Sequence, residues 1–102
     1  MDLRNREKKS GEDAVKLVTK IRVKNDLGLH TRPATSIVKL LQHVKSDVLF
    51  TYKRETVNAK SVLSILMLGV HKNATVTITV DGDDAEETMA KILNAFENKF
   101  GE

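Results

Sequence analysis

Cysteine is absent from the 102 residues, tryptophan is absent, and there are only one proline, five glycines, three Phe and one Tyr. Without cysteine there is no disulfide framework. The nitrogen ligands left, His30, His43 and His71, fit no zinc spacing, so no metal site is expected. No apolar run is long enough to span a bilayer; the longest, residues 62–70, is interrupted by Ser64 and Gly69, so membrane insertion is not expected. The first 16 residues alternate charges and lack the apolar stretch of a secretory signal, which with the missing cysteine predicts a cytoplasmic address. Neither G-x-x-x-x-G-K-[ST] nor G-x-G-x-x-G occurs, so no nucleotide and no other cofactor is expected. What remains, 40% hydrophobic and 30% charged residues, suits one globular domain with a modest core.

The formal charge of +3 is unevenly placed. Residues 1–24 hold eight basic and four acidic side chains, residues 25–80 seven and three, and residues 81–102 two and seven. A basic balance raises nucleic acid as a partner, but a nucleic-acid face normally interleaves aromatic side chains for stacking. Here Phe96 and Phe100 sit at helical core spacing, leaving Phe50 and Tyr52, so nucleic acid is not the expected partner.

Residues 1–16 have no apolar periodicity and contain Ser10-Gly11, which predicts a charged, flexible extension before a domain over residues 17–102. Residues 18–24 alternate, Thr19, Ile21 and Val23 against Lys20, Arg22 and Lys24, as a half-buried strand does. After the turn residues Asn25-Asp26-Leu27-Gly28, the spacing of Ala34, Ile37, Val38, Leu41 and Val44 predicts an amphipathic helix. Residues 47–52 and 56–58 read as a hairpin around Lys53-Arg54-Glu55. A short helix over residues 62–68 is bracketed by Ser61 as N-cap and Gly69 at its end. Residues 74–80 alternate strictly, and Asp84 with Glu87 three residues on predicts a capping box ahead of a helix whose face is Ala85, Met89, Ile92, Leu93, Phe96 and Phe100. The order β-α-β-β-α-β-α is most simply satisfied by an α+β fold with three helices on one face of a four-stranded antiparallel sheet. Asp81-Gly82-Asp83-Asp84 lacks the later acidic ligand of a calcium loop and reads as a turn into the last helix.

His30 lies between Gly28 and Pro33, at the mouth of a helix and off its apolar face. Proline is tolerated in a first helical turn, where amides lack partners, so free N–H groups near residues 32–36 can converge on an anion. Arg32 adds a permanent cation, and an imidazole near neutrality is a nucleophile toward phosphorus. A histidine merely filling a polar loop would need none of this arrangement. With no nucleotide motif in the chain, the phosphoryl group must come from another protein.

Gly28-Leu29-His30-Thr31-Arg32-Pro33-Ala34 resembles the active-site motif of the HPr family, the histidine-containing phosphocarriers of the phosphoenolpyruvate-dependent phosphotransferase system (PTS). Lys60-Ser61-Val62-Leu63 with Leu68-Gly69 resembles the family's second motif, and the likeness runs from about Leu17 onward. The resemblance implies an HPr-like open-faced β-sandwich that is a phosphoryl relay and not an enzyme, with His30 phosphorylated through Nδ1 and Arg32 contacting the phosphate. It implies Enzyme I as donor and an EIIA-type protein as acceptor, to a cytoplasmic monomer. The loop Asn25-Asp26-Leu27-Gly28 and the run Ile65-Leu66-Met67-Leu68 also resemble the nitrogen branch, which leaves sugar transport and nitrogen regulation both open. The extension over residues 1–16 departs from the family pattern.

Ser61 has two readings: an N-cap, and the counterpart of the serine that HPr kinase/phosphorylase modifies in relatives, where a phosphate would sit at a helix N-terminus. The second makes the chain a regulatory docking protein as an alternative to a relay. Thr31, Thr35 and Lys39 on the first helix, with Leu63, Leu66 and Met67 on the second, are the expected partner-docking residues, because a short helix buries only about half its circumference.

Overall fold

A computed structural model describes residues 15–102. Residues 1–14, and with them most of the expected extension, lie outside the described residues. The chain runs β1 (Val15–Arg22), α1 (Thr31–Leu40), β2 (Asp47–Tyr52), β3 (Glu55–Asn58), α2 (Val62–Leu68), β4 (Thr75–Gly82) and α3 (Ala85–Glu97), ending in a tight turn over Lys99–Gly101. All strand pairs are antiparallel, in the order β1-β4-β2-β3.

Alternation in the strands sorts the two faces of the sheet. Leu17, Val80 and Val48 stand in one cross-strand row, and Thr19, Ile78, Phe50 and Val57 in the next, all toward the helices. Val76, Ile78, Val80, Val48 and Phe50 are buried, while the outer face carries Lys20, Arg22, Thr75, Thr77, Thr79 and Thr51. The helices close the inner face with Ala34 and Ile37 from α1, Ile65 and Leu68 from α2, and Ala85, Met89, Ile92 and Phe96 from α3. One sheet face is therefore covered by three helices and, among the described residues, the other is open, the expected architecture. Among the described residues no helix is long and apolar enough to cross a membrane.

Element ends differ from the sequence reading where partners outweigh local pattern. β1 begins at Val15, ahead of the alternating stretch, because β4 extends to Gly82 and pairs with it. α1 begins at Thr31, putting Pro33 at its third position, and stops at Leu40; Leu41 and Val44 keep the apolar period through a turn whose hydrogen bonds reach back three residues instead of four, Gln42 N to Lys39 O and Val44 N to Leu41 O. The hairpin closes on two residues and not three: Tyr52 pairs with Glu55, and Lys53 and Arg54 both take positive φ, 55° and 96°, the type I′ geometry without its usual glycine. The expected capping box at Asp84 does not form. Its side chain makes no bond to the helix and instead accepts from Lys45 N, Ser46 N and Ser46 Oγ at 2.9, 2.9 and 2.5 Å, tying the start of α3 to the loop before β2. Phe100 is not on α3: the helix ends at Glu97, and Phe100 reaches the core from the following turn, its ring 4.8 Å from that of Phe96.

Candidate functional site

Gly28 sets the position of the loop that carries His30. Its φ is 66°, and a Cβ there would lie 2.2 Å from Val70 O and 2.5 Å from the Cα of His71. Only glycine lets the loop lie this close to the segment after α2. Leu29, buried, then donates its amide to Val70 O at 2.9 Å and pins the next residue. That residue, His30, is the N-cap of α1 with an extended backbone and no side-chain cap bond, so its imidazole is free for other contacts.

The first bond of α1 runs from Ala34 N to His30 O at 3.0 Å, and Pro33 has no N–H. Amides from Ala34 onward thus belong to the helix. Among the described residues, the donors left unused at this end are Thr31 and Arg32, a smaller set than the residue 32–36 amides expected from sequence. Those two amides, the positive end of the helix dipole and the exposed guanidinium of Arg32 favour negative charge beside His30.

His30 and Arg32 line one recess of about 300 Å³ together with Asn25, Asp26, Leu27, Lys99 and Glu102. The expected pair is brought together, and the recess adds residues from more than 60 positions away. Glu102 places a carboxylate oxygen 2.9 Å from His30 Nε2. Its other oxygen accepts from Asn25 Nδ2 at 2.5 Å, and the same amide donates to Lys99 O at 2.9 Å. Sequence reading missed Lys99 and Glu102, for no local motif marks them. Asn25 it placed only as a turn residue, although a polar side chain 1% exposed is unusual and its Oδ1 has no partner among the described residues.

Ser61 caps α2, accepting from Ser64 N at 3.2 Å, and Gly69 ends the helix in the left-handed conformation, as expected. Ser61 does not line the His30 recess. α1 and α2 pack on each other. Leu63 and Met67 are 67% and 74% exposed, whereas Leu66 is half-buried against the core, so apolar surface on α2 is offered mainly by the first two. Thr31, Thr35 and Lys39 are exposed; the Thr35 hydroxyl donates to Thr31 O at 2.8 Å, which turns it back on its own helix. His43 is exposed beyond α1, and His71 Nε2 meets the hydroxyl of Tyr52 at 3.1 Å.

Comparison with known proteins bears on the family and the fold. Residues 17–98 match the model of the family described as "PTS HPr component phosphorylation site". Over 80 residues the chain is 44% identical to a phosphocarrier protein HPr of Chlamydia muridarum, covering 78% of this chain and 77% of that one, and 45% identical to one of Chlamydia pneumoniae, covering 78% and 74%. The crystal structure of HPr-C-His from Thermoanaerobacter tengcongensis superposes with a TM-score of 0.81 at 36% identity, covering 84% of this chain and 97% of that one.

Proposed function

The chain belongs to the HPr family of PTS phosphocarriers, and we propose that it carries the phosphoryl group on His30, receiving it from phosphoenolpyruvate-charged Enzyme I and passing it to an EIIA-type acceptor. A phosphocarrier is turned over by its partners and is not itself an enzyme. The observation that supports His30 most is its placement: a half-buried imidazole at the N-terminus of α1, in one recess with Arg32. A phosphoryl group arriving there brings negative charge, which the helix end, the Thr31 and Arg32 amides and the guanidinium offset in both the donor complex and the charged carrier. Arg32 is the phosphate contact in this reading. Thr31, Thr35, Lys39, Leu63 and Met67 form the surface that partners press upon, with Leu66 supporting it from beneath.

Incubation with phosphoenolpyruvate and Enzyme I, followed by mass spectrometry under non-acidic conditions, is expected to find one phosphoryl group on His30. The variant His30→Ala should take up none while keeping its circular-dichroism spectrum and melting temperature, since the imidazole is outside the core. Uptake by His30→Ala at the wild-type rate would refute the assignment.

A second reading, regulation at Ser61, is favoured by one observation: the hydroxyl at the N-terminus of α2 stands beside the exposed Leu63 and Ser64 amide it already accepts from. Phosphorylation there by an HPr-kinase-like enzyme would add a dianion next to the docking surface.

A further inference from the structure

Three consecutive residues after α3, Lys99, Phe100 and Gly101, have φ of 52°, 53° and 82°. Residues with a Cβ avoid this left-handed region, and a run of them persists only where surrounding contacts hold it. Those contacts are present. Phe100 packs its ring against Phe96, Gly101 N and Glu102 N donate to Asn98 O and Lys99 O at 2.9 Å each, and buried Asn25 donates to Lys99 O at 2.9 Å. The outcome of this reversal is the delivery of Glu102 into the recess, its side chain 20% exposed, with one carboxylate oxygen on Asn25 Nδ2 and the other on His30 Nε2.

We propose that Glu102 is a positioning residue that decides which nitrogen of His30 takes the phosphoryl group, an inference that rests on His30 being the phosphoryl acceptor. A carboxylate has only lone pairs to offer, so the 2.9 Å contact places the imidazole proton on Nε2. In the neutral ring the in-plane lone pair is then on Nδ1 alone. Asn25 matters because its own amide is held twice, on Lys99 O and on Glu102, and so fixes the carboxylate that fixes the ring.

The charge follows the same path. The Nδ1 lone pair attacks phosphorus, and the bond from phosphorus to the donor's leaving atom breaks with its electron pair staying on the donor. The ring retains Nε2–H and acquires a positive charge, which Glu102 opposes across the existing hydrogen bond. When the acceptor takes the phosphoryl group, the N–P electron pair returns to Nδ1 and the ring is neutral again. Glu102 never contacts phosphorus; it acts through the imidazole.

The test compares the wild-type chain with E102Q and E102A in the Enzyme I reaction. ¹⁵N shifts of the His30 ring read its tautomer, ³¹P spectra tell which nitrogen carries phosphate, and the initial rate of uptake is measured at subsaturating protein. Wild type is expected to show the Nε2–H tautomer alone and phosphate on Nδ1. In E102Q the carboxamide oxygen still accepts from Nε2–H, so the tautomer persists while the rate falls about threefold with loss of the opposing charge. In E102A the Nδ1–H tautomer appears and the rate falls about tenfold, the scale of losing an outer partner that orients a functional histidine. E102A matching wild type in tautomer and within twofold in rate overturns the inference alone. Wild type taking up no phosphoryl group on His30 overturns the phosphocarrier reading and this inference with it.

Discussion

Asp84 shows how a single carboxylate joins two parts of the chain. The Ser46 hydroxyl hydrogen bond, followed by the Lys45 amide, holds its carboxyl well below the usual range, at about 2. A depressed carboxyl stabilises the fold fully above the unfolded-state value near 4, and that contribution is lost as pH falls through about 2. Asp84→Asn is therefore expected to lower stability at pH 7 by about 2 kcal/mol in urea unfolding, the scale of hydrogen bonds to a charged group, because an amide nitrogen would face a donor. The same variant should lack the part of the wild-type stability loss between pH 4 and pH 2 that Asp84 causes; an unchanged acid profile would show the staple to be inert. At this scale the part of the recess legible in the sequence was the part whose members are neighbours in the chain: His30 and Arg32, with Pro33, lie within one helical turn. Glu102 and Asn25 belong to the same recess but are 77 positions apart, and only the folded chain brings them together. Asp84 has the spacing of a capping box, yet two free amides and a hydroxyl across the fold outcompete the local bond.

Elements were legible where a buried face imposed a period, as in β4, where Val76, Ile78 and Val80 alternate with threonines, and in α2, whose Ser61 and Gly69 mark both ends. They were less legible where an apolar residue leaves its helix yet still packs against the core, as Phe100 does, since spacing alone cannot tell a last helical turn from a reversal. α2 carries the next prediction. A negative charge at residue 61 meets the first-turn amides and the helix dipole, which favour it by roughly 0.3–1 kcal/mol, so Ser61→Asp should keep a native circular-dichroism spectrum. The same charge stands beside exposed Leu63 and must be desolvated, or faced with acidic groups, when a partner closes over that side chain. Phosphorylation of His30 by Enzyme I should accordingly slow about threefold or more in Ser61→Asp. Ser61→Ala should stay near the wild-type rate while losing about 1 kcal/mol of cap stability. Equal initial rates for Ser61→Asp and wild type would leave Ser61 as a cap only.

Across the whole molecule, charge and fold can be separated by one deletion. Residues 1–14 hold four basic and four acidic side chains, so their net charge is zero. The basic surplus of the first 24 residues is carried by Lys16, Lys20, Arg22 and Lys24, of which the first three are exposed along β1. The acidic surplus lies opposite in sequence, with Asp83, Asp84, Glu86 and Glu87 gathered near the start of α3. The net imbalance between the two ends is thus carried by residues 15–102. The family match, over residues 17–98, also falls after that segment. We propose that the extension read from the sequence as residues 1–16 is separable from the phosphocarrier domain as far as residue 14, Val15 and Lys16 being strand residues of β1. Removing residues 1–14 leaves β1 intact from Val15, where it pairs with Gly82, and is expected to shift the melting temperature by less than about 2 °C, well inside the change that 1 kcal/mol gives a domain of this size. Uptake of phosphate on His30 should remain within twofold of the full chain at low and at moderate salt, because the removed side chains sum to zero and the net charge that steers a charged partner at long range is kept. A larger drop in melting temperature would mean that the segment packs on the domain, and a salt-dependent loss of rate would mean that its individual charges, though balanced in sum, take part in the encounter with the donor.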